Sequence, residues 1–170
     1  MIGKSERRLG VSLGYVREIL ATSLPLTLRF NRIFGFLDPN TKAPKEAYHI
    51  ARMRGALAAD CGTCVEAERN LARQAGLAET QITACLRGDL GAFDPPLQAV
   101  IALTDAVTHQ RADAPEAREA IRRAYGPAAL IELAFAMNAA ALLPGVKRAM
   151  GHATTCDLDL LAPPTKGAIR

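Results

Sequence analysis

Proline and glycine cut this chain into pieces too short for anything but a set of brief helices. Pro25, Pro44, Pro95, Pro115, Pro127 and Pro144 stand at or near the ends of apolar, helix-periodic runs. A proline is tolerated in the first turn of a helix and disfavoured in its interior. Read this way, the spacing predicts helices over 15–23, 26–36, 44–59, 63–75, 80–87, 95–109, 115–125 and 128–143, and a last short one over 146–151. Asp38-Pro39-Asn40, Asp60 to Gly62, Gly76, Gly88 to Gly91, Gly126-Pro127 and Pro144-Gly145 are the expected breaks. Asp94 is placed to cap the helix that Pro95 opens.

Composition agrees with this punctuation. Ala and Leu fill 53 of 170 positions, Trp is absent, and Phe and Tyr together number eight. Such a mixture favours helix and disfavours a β-sandwich or barrel, which draws on aromatic and β-branched residues. With 49% hydrophobic and 22% charged residues the chain has enough apolar material to fold. The expectation is a single all-α domain of about eight or nine short helices over 1–170, with no internal repeat. Within it we distinguish an N-terminal helical arm (1–40), a central pair of helices (44–77) and a loose tail (162–170).

The net charge of +4 is modest, and residues 1–40 hold six basic and three acidic groups of it. That is too dilute, and too poor in stacking aromatics, for a nucleic-acid reader. No apolar stretch reads as long enough to span a membrane, and Arg17 and Glu18 interrupt the N-terminal one. A cytoplasmic protein with reduced thiols is expected, with neither nucleic acid nor membrane as partner. A membrane-surface helix over 24–37 is a minor alternative.

The clearest chemical signal is Cys61-Gly62-Thr63-Cys64 at a predicted helix start. Free backbone N–H groups and the helix dipole favour a thiolate there. The second thiol is near enough to resolve a sulfenic acid or a mixed disulfide. If the helix includes Cys61, then Cys61, Cys64 and Glu68 fall within about 60° on one face. His49 lies 12 residues before Cys61 on the preceding helix, an expected antiparallel neighbour, and Glu46 lies one turn before His49. An imidazole near a thiol can take its proton and then stabilise the thiolate.

The segment Glu46-Ala-Tyr-His-Ile-Ala, the run Cys61-Gly-Thr-Cys64-Val-Glu-Ala-Glu68 and Ala75-Gly-Leu77 resemble the core of the AhpD-like alkylhydroperoxidases, within the carboxymuconolactone decarboxylase superfamily. The likeness is sharpest over 45–77. Tyr125-Gly-Pro, Glu132-Leu-Ala-Phe-Ala-Met-Asn138 and Gly151-His152 are similar in style to longer members. The resemblance implies an all-α unit in a homo-oligomer, a trimer or a hexamer. It implies a peroxiredoxin-type hydroperoxide reductase in which Cys64 attacks the peroxide and Cys61 resolves it. It also implies a Glu and a His as proton relay. This chain departs from that pattern: Glu68 stands where the family has His, and His49 stands where it has Glu. We therefore expect His49 and Glu68 as a position-swapped relay, with Glu46 as the fallback acid.

Other chemistries stay open. Cys61, Cys64, His49 and Glu68 could supply four zinc ligands, although no metal is expected. The chain could be a lyase of the decarboxylase type with an incidental CxxC, or a disulfide reductase, or a non-enzymatic redox-sensing oligomer. No Gly-rich nucleotide loop is present, so no bound organic cofactor is expected. Electrons would then come from an external dithiol protein or lipoyl-type donor.

The remaining candidates read as structural. Cys85 and Cys156 suit small apolar packing, Met53, Met137 and Met150 suit the core, and Glu66 suits the surface. His109 reads as a helix-end charge and His152 as structural. The apolar helix over 128–143, with only Glu132 and Asn138 able to do chemistry, reads as a core or subunit-interface element. The segment 24–37 reads as an arm over a neighbouring subunit or a lid over the thiols.

Overall fold

The structure, a computed structural model, describes residues 2–37 and 40–154. Cys156 and the expected loose tail lie outside the described residues. Among those described, the chain is helical throughout and has no strand. The helices are α1 (Ile2–Leu9), α2 (Gly14–Thr22), α3 (Leu24–Leu37), α4 (Lys45–Ala58), α5 (Gly62–Gln74), α6 (Glu79–Arg87), α7 (Pro95–Thr104) and α8 (Pro115–Ala149). A π-helical stretch, Asp105–Gln110, continues α7.

Local chemistry explains most boundaries. The Asp94 carboxylate accepts the Leu97 N–H at 3.0 Å, capping α7 as its sequence suggests. Pro44 precedes α4 in an extended conformation, which proline favours. Gly126 bends α8 with φ 85° and ψ 166°, a conformation open only to glycine. The break expected at Gly126-Pro127 is present: α8 consists of two helical segments that meet at this kink.

Three expectations fail. Pro144 does not end its helix: α8 runs through it to Ala149. Tertiary contacts hold both sides of the proline. Ala140 is buried in the main core, and beyond Pro144 the Arg148 guanidinium bonds the Ala59 and Asp60 carbonyls at 3.0 and 2.8 Å. Such anchoring overrides a local penalty of about 3 kcal/mol. By length and composition α8 is also long and apolar enough to cross a membrane, contrary to the sequence reading. Here it packs along α4 and α7 as a core helix. Helix α1 was not expected either. Its sequence is mostly charged, and it is held from outside, where Asn70 Nδ2 on α5 donates to the Leu9 carbonyl at 2.9 Å.

Helix α4 is the axis of the core, buried on almost every side through Ala47, Ile50, Ala51, Met53 and Ala56. Gly55 lets α8 approach it, because a Cβ at that position would overlap the Met137 carbonyl. Ile82, Val100, Ile121, Leu133 and Met137 complete the cluster, each burial contributing about 1.5–3 kcal/mol. Cys85 is wholly buried among them. A smaller cluster of Tyr15, Val16 and Phe30 joins α2 and α3 to Leu143 and Met150 on the far end of α8. The thiols sit between the two clusters.

One carboxylate fastens the chain that leads into α4. Glu132, on α8, accepts from the backbone N–H groups of Thr41, Lys42 and Ala43 and from the Thr41 hydroxyl, at 2.7–3.1 Å. Burial opposes its ionisation, but these donors win and hold its pKa down to about 2.

Candidate thiol site

Cys61 takes the position just before α5, with φ −129° and ψ 97°, and Cys64 lies in the first turn. This turns both side chains to the same end of the helix and places the sulfurs 2.6 Å apart. Both cysteines are free. Cys61 has no exposed surface, whereas Cys64 is partly exposed. Thr154 covers the helix end. Its carbonyl accepts the Gly62 N–H at 3.0 Å and its hydroxyl accepts the Thr63 N–H at 3.3 Å. These caps leave the cysteine side chains free of that duty.

The decisive neighbour is a residue that the sequence reading did not single out. Lys147, in the last turn of α8, is buried with 6% of its surface exposed. Its Nζ lies 3.7 Å from Cys61 Sγ and 3.6 Å from Cys64 Sγ, and it donates to the Thr63 hydroxyl. The Tyr15 ring of α2 closes the other side, with its centroid 5.6 Å from the ammonium. Burial, and then the sulfur charges, push the Tyr15 hydroxyl up to about 12. His152 leans on the same ring at 6.5 Å and meets Glu18 through Nε2 at 2.6 Å. The N-terminal arm thus roofs the thiols within its own chain.

The two thiols ionise as a unit. The Cys61 thiol is drawn down to about 5, first by the hydrogen bond it shares with Cys64. Burial opposes this, while the Thr63 hydroxyl, the Cys64 backbone N–H and Lys147 add to it. Cys64 is pushed up, first by the same shared hydrogen bond, then by burial and by the charge on Cys61. The pair gives up one proton readily and holds the second tightly.

The structure does not bring the expected relay residues to the sulfurs. Glu68 is clasped by Arg52 of α4 through two bonds of 2.7 and 2.8 Å, and both side chains are buried. His49 stacks edge-on against Tyr48 at 5.3 Å, and its Nδ1 makes no hydrogen bond. Burial chiefly lowers the His49 pKa, with Glu68 acting against this and Arg52 and Lys45 with it. The fallback acid Glu46 bonds Gln81. Glu66 pairs with Arg69 at 3.1 Å, and Asn138 turns back to the Ala134 carbonyl at 2.8 Å. Among the described residues no three His, Cys, Asp or Glu side chains converge as metal ligands. The four considered for zinc are divided, since Arg52 occupies the Glu68 oxygens. Two surface hollows of about 430 and 510 Å³ lie beside Arg54 and His109 and beside Thr108 and Arg111, and neither is lined by a cysteine.

Comparisons with protein-family models, with curated proteins and with solved structures find no match.

Proposed function

We propose that the chain is a thiol-dependent hydroperoxide reductase of the AhpD-like kind, acting in a reducing compartment and recharged by an external dithiol. The observation that carries this reading is the contact of two free thiols, 2.6 Å apart, at the N-terminus of α5. One ionises easily, and a disulfide between them needs little movement of either helix end. Attack falls to Cys64, the sulfur that substrate can reach, and resolution to Cys61. The single shared proton passes across the sulfur contact, so the charge that rests on Cys61 is available at Cys64. The same pair would serve a disulfide reductase, with a disulfide in place of the peroxide as oxidant.

We further infer that the chain self-associates. Ile131 and Leu142 on α8, and Leu24, Leu26 and Leu28 on α3, are between 49 and 59% exposed, and a second copy could cover them.

Turnover tests the reading. Protein supplied with cumene hydroperoxide and a dithiol such as dithiothreitol should consume peroxide catalytically, and Cys64→Ser should abolish consumption. With the dithiol left out, Cys61→Ser should react once per chain and stop as a sulfenic acid. Wild-type protein that consumes no peroxide above the reagent background contradicts the reductase.

A further inference from the structure

Lys147 is a buried cation that, among the described residues, forms no ion pair with Asp or Glu. Its polar contacts are the Thr63 hydroxyl and the two sulfurs. A buried ammonium is costly unless an anion answers it. Among the described residues, the two sulfurs are the groups in contact that can carry the answering negative charge. The sequence puts a lysine where it also complements the C-terminal end of the α8 dipole, so the same charge serves two ends at once: the C-terminus of α8 and the sulfurs at the N-terminus of α5. Tyr15 on α2 lies against the ammonium, and the paired His152 and Glu18 stand beyond it.

We propose that Lys147 is a catalytic residue of the thiol centre, holding the thiolate in place and delivering the proton that the peroxide's leaving oxygen requires. This rests on the hydroperoxide reading above. In the first step the thiolate of Cys64 attacks the outer oxygen of ROOH. The S–O bond forms, the O–O bond breaks, and the departing alkoxide takes a proton from the Lys147 ammonium, leaving as ROH. Cys64 is then a sulfenic acid and Lys147 a neutral amine. The amine takes the remaining thiol proton from Cys61, 3.7 Å away. The new thiolate attacks the sulfenic sulfur, the S–S bond forms, and hydroxide leaves with the same proton returned by Lys147, as water. Two thiol sulfurs are oxidised to a disulfide and one hydroperoxide is reduced to alcohol and water. Lys147 finally regains a proton from solvent. An external dithiol reduces the disulfide.

Two substitutions separate the holding role from the donating role. Lys147→Arg keeps the positive charge but does not release its proton. Lys147→Met keeps the stem and loses the charge. The pH dependence of alkylation by iodoacetamide, mapped to each cysteine, reads the thiolate. Turnover of cumene hydroperoxide with dithiothreitol reads the chemistry. We expect Lys147→Met to move the alkylation inflection up by about one pH unit or more. We expect Lys147→Arg to leave that inflection in place and to slow turnover about a hundredfold. An unmoved inflection in Lys147→Met, with helicity and melting temperature like wild type, overturns the holding role. Wild-type turnover in Lys147→Arg overturns the donating role, and it still decides the matter should Lys147→Met fail to fold. If wild-type protein consumes no peroxide while Lys147→Met moves the inflection, the hydroperoxide reading falls and the lysine–thiolate pair stands.

Discussion

Helix α5 carries two buried charge centres one turn apart, at Cys64 and Glu68, and they are built on opposite plans. At Glu68 a carboxylate meets a guanidinium in a two-pronged pair, and Arg52 also reaches the Tyr48 hydroxyl at 3.3 Å. Each oxygen has its own guanidinium donor, and the pair is buried away from the sulfurs' hydrogen bonds. At Cys64 the cation is a lysine that can release its proton, and the anion is a thiolate that exists only when the pair has lost one. One centre is fixed in place by complete satisfaction. The other is held in a state that chemistry can change. Reactivity on this helix therefore follows how a buried charge is answered rather than burial alone.

The sharpest way to break the comparison is to remove the satisfied partner. Glu68→Ala removes the two-pronged carboxylate partner of buried Arg52, and we expect it to cost about 1.5–3 kcal/mol in urea unfolding, with the alkylation inflection of the thiols nearly unmoved. A large shift in that inflection with little loss of stability would return Glu68 to the reactive centre. Next in size is Gly55→Ala, which forces α4 off the Met137 carbonyl and disturbs both centres by separating the helices that supply Arg52 and Lys147. We expect a loss of about 1–3 kcal/mol in the same unfolding measurement, accompanied by slower disulfide formation.

A second carboxylate sharpens the contrast, because among the described residues Glu132 is held by neutral donors and no cation. Its folded pKa of about 2 lies below its ordinary value of 4.5. Its contribution is thus complete above the ordinary value and is lost as pH falls through the folded one. We expect Glu132→Gln to cost about 1–3 kcal/mol at neutral pH. The gap between variant and wild type should close between the two values as acid is added, which urea titrations at stepped pH would read. A gap independent of pH would show that shape rather than charge holds the segment from Thr41 to Ala43.

The smallest expected effect is at the residue that the sequence made most attractive. His49→Ala should leave the pH dependence of Cys64 alkylation unchanged, since the imidazole touches neither sulfur. A shift of one unit would restore the exchanged relay read from the motif.

Legibility in the sequence followed the range of the interaction. The start of α5 at the CxxC, the cap at Asp94 and the bend at Gly126 are set by neighbouring residues, and each was readable. The passage of α8 through Pro144 was not, because contacts at Ala140 and Arg148 decide it from outside the local window. Glu68 has the spacing of a relay acid, but the spacing says nothing of Arg52, which faces it from another helix and removes it from that role. Lys147 lies more than 80 residues from the cysteines in sequence. On its own it reads as an ordinary favourable charge at a helix end. Only the course of α8 alongside α4, from Glu132 beside Ala43 to Arg148 beside Asp60, makes it the partner of the thiols.

The most direct test is a single turnover. Fully reduced protein is mixed with one equivalent of cumene hydroperoxide, quenched with an alkylating agent, and its disulfides are mapped by mass spectrometry. The account predicts a Cys61–Cys64 disulfide formed within the mixing experiment, one peroxide lost per chain, and Cys85 still reduced. Cysteines 61 and 64 recovered as free thiols, with the peroxide intact, would contradict it.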